Sequence, residues 1–382
     1  MGRAVGLFAG IGGLELGLGE HGWSTELLCE IDPGAQGVLR ARFPGVDLHA
    51  DITRLRSLPA GTELVAAGFP CQDLSQAGRT AGITGRRSGL VDEVFRLVRR
   101  QRGPRWLLIE NVPFMLQLGQ GAAMRHITSA LEDLGYLWAY RVVDGRAFGL
   151  PQRRQRVLML ASRTDDPRHV LFSDDAGPRE YGDPDRDPCG FYWTEGVRGL
   201  GWAVNAVPTL KGGSGLGIAS PPAVRLPAGE LVTPGITDAE RLQGFAADWT
   251  APATNAAGVR GGHRWKLVGN AVSVRMASWL GEQLASPGEA LTLGEPLSPG
   301  SPWPRAAWGH AGTVYRVDVS TWPVREPYED LKNFLTDARL LSPRATAGFL
   351  RRTDMGTLRF PPGFLDDVRA HLDRMGGWPA TS

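Results

Sequence analysis

The chain has 382 residues, of which 42% are hydrophobic and 21% charged, and its net charge is +2. That length suits two or three domains, and that composition belongs to a globular protein rather than a fibrous or disordered one. With no apolar run of about eighteen residues and no apolar stretch of signal-peptide length after Met1, neither a membrane span nor a secreted protein is expected.

In chain order, apolar runs at 5–8, 27–30, 64–67, 106–109 and 157–160 predict buried strands. Amphipathic stretches at 14–22, 33–42, 92–102 and 124–134 predict helices between them. Such alternation implies a doubly wound α/β fold with a mostly parallel sheet. From about 163 to 232, Gly, Pro, Asp and aromatic residues prevail without periodicity, which predicts a smaller loop-rich domain. Thr237 and Glu240 then have capping-box spacing, and a helix is expected over 272–284. A Pro/Gly-rich linker at 286–304 reads as a boundary. Beyond it, a strand pair near 313–319 and helices at 328–341, 345–352 and 362–375 predict an α+β extension of unassigned role. The expected domains are thus 1–162 with 264–285, then 163–263, then 286–382.

The three cysteines, Cys29, Cys71 and Cys189, are too few and too scattered for a disulfide framework or a zinc cluster, and fit a reducing cytoplasm. Cys71 stands apart. It follows the 64–67 strand in Gly68-Phe69-Pro70-Cys71-Gln72, where proline ends the strand and presents the thiol at its carboxyl end. A buried, inert cysteine is the commoner fate of a lone thiol, but the polar, glycine-rich surroundings favour a nucleophile. Arginines cluster at Arg79, Arg86 and Arg87 and again at Arg146, Arg153, Arg154 and Arg156, and their forks suit phosphate oxygens and base edges.

Phe8-Ala9-Gly10-Ile11-Gly12-Gly13 forms a glycine turn after the first strand. A dinucleotide fingerprint would need glycine where Glu15 stands. Glu30-Ile31 ends the second strand, where a carboxylate can hold ribose hydroxyls. Asp51-Ile52 closes the third, placing an acid for an adenine amino group and an isoleucine for the ring. Adenosine without a diphosphate points to S-adenosylmethionine.

With these residues the chain resembles the bacterial cytosine-C5 DNA methyltransferases. The resemblance runs on through Ser75, Ser88-Gly89-Leu90, Glu110-Asn111-Val112, Gly149-Leu150-Pro151-Gln152-Arg153-Arg154-Gln155-Arg156-Val157, Arg241-Leu242-Gln243-Gly244-Phe245 and Gly269-Asn270-Ala271-Val272-Ser273, and stops near Ser286. It implies that Cys71 attacks cytosine C6, that Glu110 serves N3 and the exocyclic amine, and that Arg154 and Arg156 contact O2. It implies a cofactor pocket from Phe8, Gly10, Ile11, Gly12, Gly13, Glu30, Ile31, Asp51, Ile52, Pro70, Leu90, Asn270, Ala271 and Val272. DNA contacts would come from Gln72, Ser75, Arg79, Arg86, Arg87 and Ser88 on a closing loop. Trp193, Asn205, Thr209, Lys211 and residues 212–217 become candidates for recognition in the smaller domain. The partner implied is double-stranded DNA with a flipped base, in a restriction or other defence complex, and no membrane. One departure is Gly6, where the family usually has aspartate. Alternatives are an RNA cytosine methyltransferase, a non-catalytic DNA-binding regulator and, least favoured, a nicotinamide oxidoreductase.

Overall fold

The computed structural model describes residues 2–70, 89–99, 103–180, 182–195, 197, 199–212, 220–255 and 262–377. Cys71, Gln72, Ser75, Arg79, Arg86, Arg87 and Ser88 lie outside the described residues.

The first eight strands are β1 (Gly2–Leu7), β2 (Trp23–Cys29), β3 (Asp47–His49), β4 (Leu64–Ala67), β5 (Trp106–Asn111), β6 (Leu137–Asp144), β7 (Gln152–Arg153) and β8 (Gln155–Ser162). The smaller region adds β9 (Cys189–Phe191), β10 (Ala203–Val204), β11 (Val207–Pro208), β12 (Ala223–Arg225) and β13 (Leu231–Thr233). The C-terminal segment adds β14 (Glu295–Pro296), β15 (Ala306–His310), β16 (Thr313–Arg316) and β17 (Arg339–Leu340).

A ten-stranded sheet runs in the order β14-β16-β15-β6-β8-β5-β4-β1-β2-β3. From β3 to β5 every pairing is parallel; β8 is antiparallel to both β5 and β6, so β6 returns to the common direction. Only β8, β15 and β14 of these strands oppose the rest. Every residue of β4 and β5 is buried, as centre strands covered on both faces require. The helices Leu90–Arg99 and Ala122–Asp133 cover one face through Val94, Phe95, Met124 and Ile127. Gly13–Gly19 and Val274–Ala285 cover the other through Leu14, Leu18, Met276 and Leu280. This is the doubly wound α/β arrangement expected, and it brings the carboxyl ends of β1, β2, β4 and β5 to one edge.

The smaller region holds a five-stranded antiparallel sheet, β10-β9-β12-β13-β17. The helices Pro343–Asp354 and Phe364–Arg374 pack on it through Phe349, Phe364 and Val368 against Phe191 and Leu231. Residues beyond the Pro/Gly-rich linker are therefore divided between the two sheets: β14, β15 and β16 extend the large one past β6, and β17 closes the small one.

Two local expectations fail. The helix expected at 328–341 is a short 3-10 turn, Leu331–Phe334, followed by β17. Distant side chains take the backbone groups a helix would have paired. Asn205 accepts from the Leu331 amide, Asp238 from the Thr336 and Asp337 amides, and Arg241 donates to the Asn333 and Phe334 carbonyls. The capping box is displaced too. The helix is Ile236–Leu242, and Asp238 accepts from the Gly235 amide at 3.0 Å. Glu240 is buried and instead accepts from the Thr250 amide and Arg264. Arg241→Ala would leave the fully buried Asp238 without its guanidinium, 2.8 Å away, and should cost about 2 kcal/mol in urea unfolding. A midpoint unchanged from wild type would refute this role.

Candidate active site

The site is built where β4 and β5 end beside β8. Glu110, the fifth residue of β5, is buried, and its Oε1 lies 2.9 Å from Arg156 Nε. The contact is an ion pair, and among the described residues this oxygen has no aligned hydrogen-bond donor. Burial pushes the Glu110 carboxyl above its ordinary value, outweighing the opposite pull of Arg156 and Arg154. The carboxylate faces Gly68: a Cβ there would stand 3.5 Å from Glu110 Oε2 and 3.9 Å from Val272 Cγ2. Next on β5, Asn111 donates from Nδ2 to the Phe69 carbonyl at 3.0 Å. That bond fixes the backbone two residues ahead of Cys71. Phe69 is buried against Phe8, edge to face at 6.3 Å, and Pro70 is exposed.

Arg154 and Arg156 have different settings. Arg154 is buried and donates to the carbonyls of Leu210, Gly269 and Ala271, the last at 2.6 Å. It ties the smaller region and the Asn270-Ala271-Val272 stretch to the start of β8. Burial and the neighbouring Arg156 lower its pKa well below the ordinary value, and the delocalised guanidinium is basic enough to stay charged. Gln152 does similar work, donating to the Leu242 carbonyl at 2.9 Å and accepting from the Leu210 amide at 3.1 Å. Arg156 alone of the two is paired with the acid.

On the other side of β1 the glycine turn takes shape. Phe8 has φ 56° and Gly10 φ 56°, and among the described residues no atom lies within 4 Å of where a Gly10 Cβ would be. Ile11 is buried in the seam with Ala35, Trp249 and Leu267. A Cβ on Gly13 would strike the Val272 carbonyl, so glycine there lets Asn270-Ala271-Val272 settle on the first helix. Glu30 accepts from the Gly10 and Asp32 amides, each at 2.8 Å, and burial raises its carboxyl above the usual range. Asp51 caps its own turn, accepting from the Thr53 amide and hydroxyl. Ile52 is buried in the core, and the isoleucine left open is Ile31, 73% exposed. Leu90, half-buried, opens the helix Leu90–Arg99. Asp32 accepts from His263 at 2.7 Å and Lys266 at 3.1 Å, a second clasp between the helix His263–Asn270 and the first domain.

Glu15 is the residue that sequence reasoning used only to exclude a dinucleotide. Its carboxylate is buried, neither oxygen has a hydrogen-bond partner among the described residues, and burial pushes it up to about 7. It occupies the space beside Gly6, where any Cβ would collide with Glu15 Oε1. The only signal in the sequence was the pairing of an unexpected glycine with an acid nine residues on.

Among the recognition candidates, Asn205 is a joint. Its amide bonds Asp330 at 2.9 Å and the Leu331 amide at 2.9 Å. Thr209 donates to the Arg153 carbonyl, Trp193 to the Pro221 carbonyl, and Lys211 pairs with Glu195. Residue 212 is described, whereas 213–217 lie outside the described residues.

A family model described as C-5 cytosine-specific DNA methylase matches residues 2–184. Over 389 residues the chain is 48% identical to the type II methyltransferase M2.BsuMI of Bacillus subtilis, covering 97% of this chain and 98% of that one. The chain belongs to the C-5 cytosine-specific DNA methylase family. The enzyme is a DNA (cytosine-5-)-methyltransferase, with S-adenosylmethionine as its methyl donor. M.BsuFI of Bacillus subtilis is 34% identical over 163 residues, 42% of this chain and 39% of that relative. The fold is also that of the S. pombe Dnmt2 methyltransferase, with a TM-score of 0.52 and 17% identity over 73% of this chain and 97% of that one. The Entamoeba histolytica methyltransferase EhMeth gives 0.50 at 15% identity, over 75% of this chain and 98% of that one.

The residues of this methyltransferase fit the donor. Gly10 leaves open space beside Glu30, Ile31 offers an uncovered apolar surface, and Glu15 holds an orphaned carboxylate at the same turn. Among the described residues no helix is long and apolar enough to cross a membrane, and no acidic, His and Cys cluster could hold a metal.

Proposed function

We propose that this methyltransferase writes 5-methylcytosine at a specific duplex DNA sequence, through a covalent bond between Cys71 and C6 of a flipped-out cytosine. The setting is a cytoplasmic type II restriction-modification system, a reading supported by similarity to M2.BsuMI, which is named a type II methyltransferase. The observation that carries the chemistry is Glu110: a buried acid, raised by desolvation, paired with Arg156 and facing Gly68 on the chain that leads to Cys71.

Cytosine C5 is a weak nucleophile until a thiolate adds at C6. As the Sγ–C6 bond forms, electron density moves onto N3, where Glu110 delivers its proton and makes the ring an enamine. Arg156 balances the carboxylate so produced. S-adenosylmethionine supplies a sulfonium-bound methyl group that C5 can take. Water removes the C5 proton, and return of the N3 proton to Glu110 then expels the thiolate and restores the aromatic ring. Glu30 and Ile31 serve the adenosine, and the Glu15 carboxylate meets the ammonium of the methionine end. Extracting the base from the duplex costs a few kcal/mol.

A duplex containing 5-fluorocytosine blocks loss of the C5 substituent and should trap a protein–DNA adduct stable to denaturing gels. Cys71→Ala should form no adduct while binding S-adenosylmethionine with wild-type affinity. Trapping by the Ala variant, or label transferred to tRNA and not to duplex DNA, would overturn the reading.

A further inference from the structure

The segment after Ser286 lies outside the stretch matched by the family model, which spans residues 2–184, and its charge is uneven. Between 339 and 360 it holds Arg339, Arg344, Arg351, Arg352 and Arg359 against the single acid Asp354. Arg344, Gly348, Arg351 and Arg352 are spaced to share one face of the helix Pro343–Asp354. With Trp193 they line an open cleft of about 330 Å³, and among the described residues no acidic side chain lines it. Arg344 and Arg351 are exposed. No carboxylate among the described residues pairs with either of them, whereas the neighbouring Arg225, Arg339 and Arg369 are each paired with an acid.

Arg352 is anchored instead. Its Nη2 donates to the Trp193 carbonyl at 2.6 Å and its Nε to the Glu195 carbonyl at 3.1 Å. Gly348 separates the arginines. A glycine inside a helix costs about 1 kcal/mol relative to alanine. Here its missing side chain leaves the Arg352 guanidinium uncovered: Nη1 lies 3.5 Å from where a Gly348 Cβ would be. A longer residue would fill the cleft that the three cations surround.

The position of this cleft selects its ligand. Trp193 follows Tyr192, whose hydroxyl bonds the Thr209 carbonyl, and Thr209 in turn bonds the carbonyl of Arg153 at the edge of the active site. Lys211 Nζ sits 3.7 Å from the centre of the Tyr192 ring. The cleft is thus linked through Tyr192 and Thr209 to Arg153 at the edge of the active site, with Lys211, paired with Glu195, lying between them. We propose that the helix Pro343–Asp354 is a phosphate clamp for duplex DNA, in which Arg344 and Arg351 grip backbone phosphates beside the five-stranded sheet and Gly348 admits the strand. This rests on duplex DNA being the substrate. The clamp adds affinity without reading sequence, since phosphate contacts position the duplex and base contacts specify it.

The test is binding of a fluorescent mixed-sequence duplex by the full-length protein, measured by anisotropy across a salt series. Each phosphate contact contributes about 0.9 to the slope of log affinity against log salt. R344A/R351A should therefore flatten that slope by about 1.8, raise KM for DNA, and leave kcat at saturating DNA and the melting temperature as in wild type. R344K/R351K keeps both charges and should restore the slope. An unchanged slope in the Ala variant, or a lowered kcat at saturating DNA, overturns the clamp. Wild-type trapping on the 5-fluorocytosine duplex is scored in parallel, so a failure of the DNA reading itself is distinguished from a failure of the clamp.

Discussion

Glu110→Gln is expected to lower the rate of methyl transfer by about 10²–10⁴, the range for losing a positioned general acid. Glutamine keeps the volume and can still hydrogen-bond N3, but it has no proton to give as charge builds on the ring. The partner matters as much. Arg156 would face a neutral amide in a buried setting, so the variant should also lose some stability. A pH profile separates the two effects. Because burial raises the Glu110 carboxyl, the wild-type enzyme keeps a protonated fraction into the range where an ordinary glutamate is ionised. Its single-turnover rate should fall as pH rises through that raised value, while the small residual rate of the Gln variant should show no such limb. A variant within about threefold of wild type, with the same alkaline limb, would remove Glu110 from the chemistry.

Glu15→Gln should make the cofactor-free protein more stable. A carboxyl that titrates near 4.5 when unfolded and at about 7 when folded binds its proton more tightly in the native state. Native stability therefore declines as pH climbs from about 4.5 to 7, then levels off, by roughly 3 kcal/mol at 1.36 kcal/mol per unit. Glutamine carries no such cost. Its advantage should be absent near pH 4.5, grow through the interval, and plateau above 7. The same change should weaken S-adenosylmethionine binding by calorimetry, since the ammonium loses its counter-charge. Wild-type cofactor affinity in the Gln variant would disprove that assignment; a stability gain independent of pH would disprove the buried charge.

Much of this could be read from the chain because it is local. The strands at 5–8, 64–67 and 106–109 announce themselves by unbroken apolar runs, and the acid of Glu110 follows directly from where its strand ends. What escaped depends on partners far away. β6 was missed because Arg141 interrupts it. That arginine is fully buried, with its donors taken by Ser320, Leu171, Asp174 and Asp175. The helix expected at 328–341 was undone by Asn205, Asp238 and Arg241, none of them a near neighbour in sequence. Arg154 and Arg156 look alike on paper, and only the folded chain shows one tied to three carbonyls and the other to an acid. Gly6 read alone as a loss; beside Glu15 it is half of an exchange.

The hairpin of β15 and β16, turned through Ala311 and Gly312 at φ 49° and 80°, lies against β6 although more than 160 residues separate their pairing partners. During synthesis, β6 must emerge and wait while that long stretch is translated. Until then its backbone amides and carbonyls form an open margin on which a neighbouring nascent chain can pair. Yield in a cell should accordingly track the speed of the ribosome over the stretch of message between β6 and the hairpin, and the supply of chaperones.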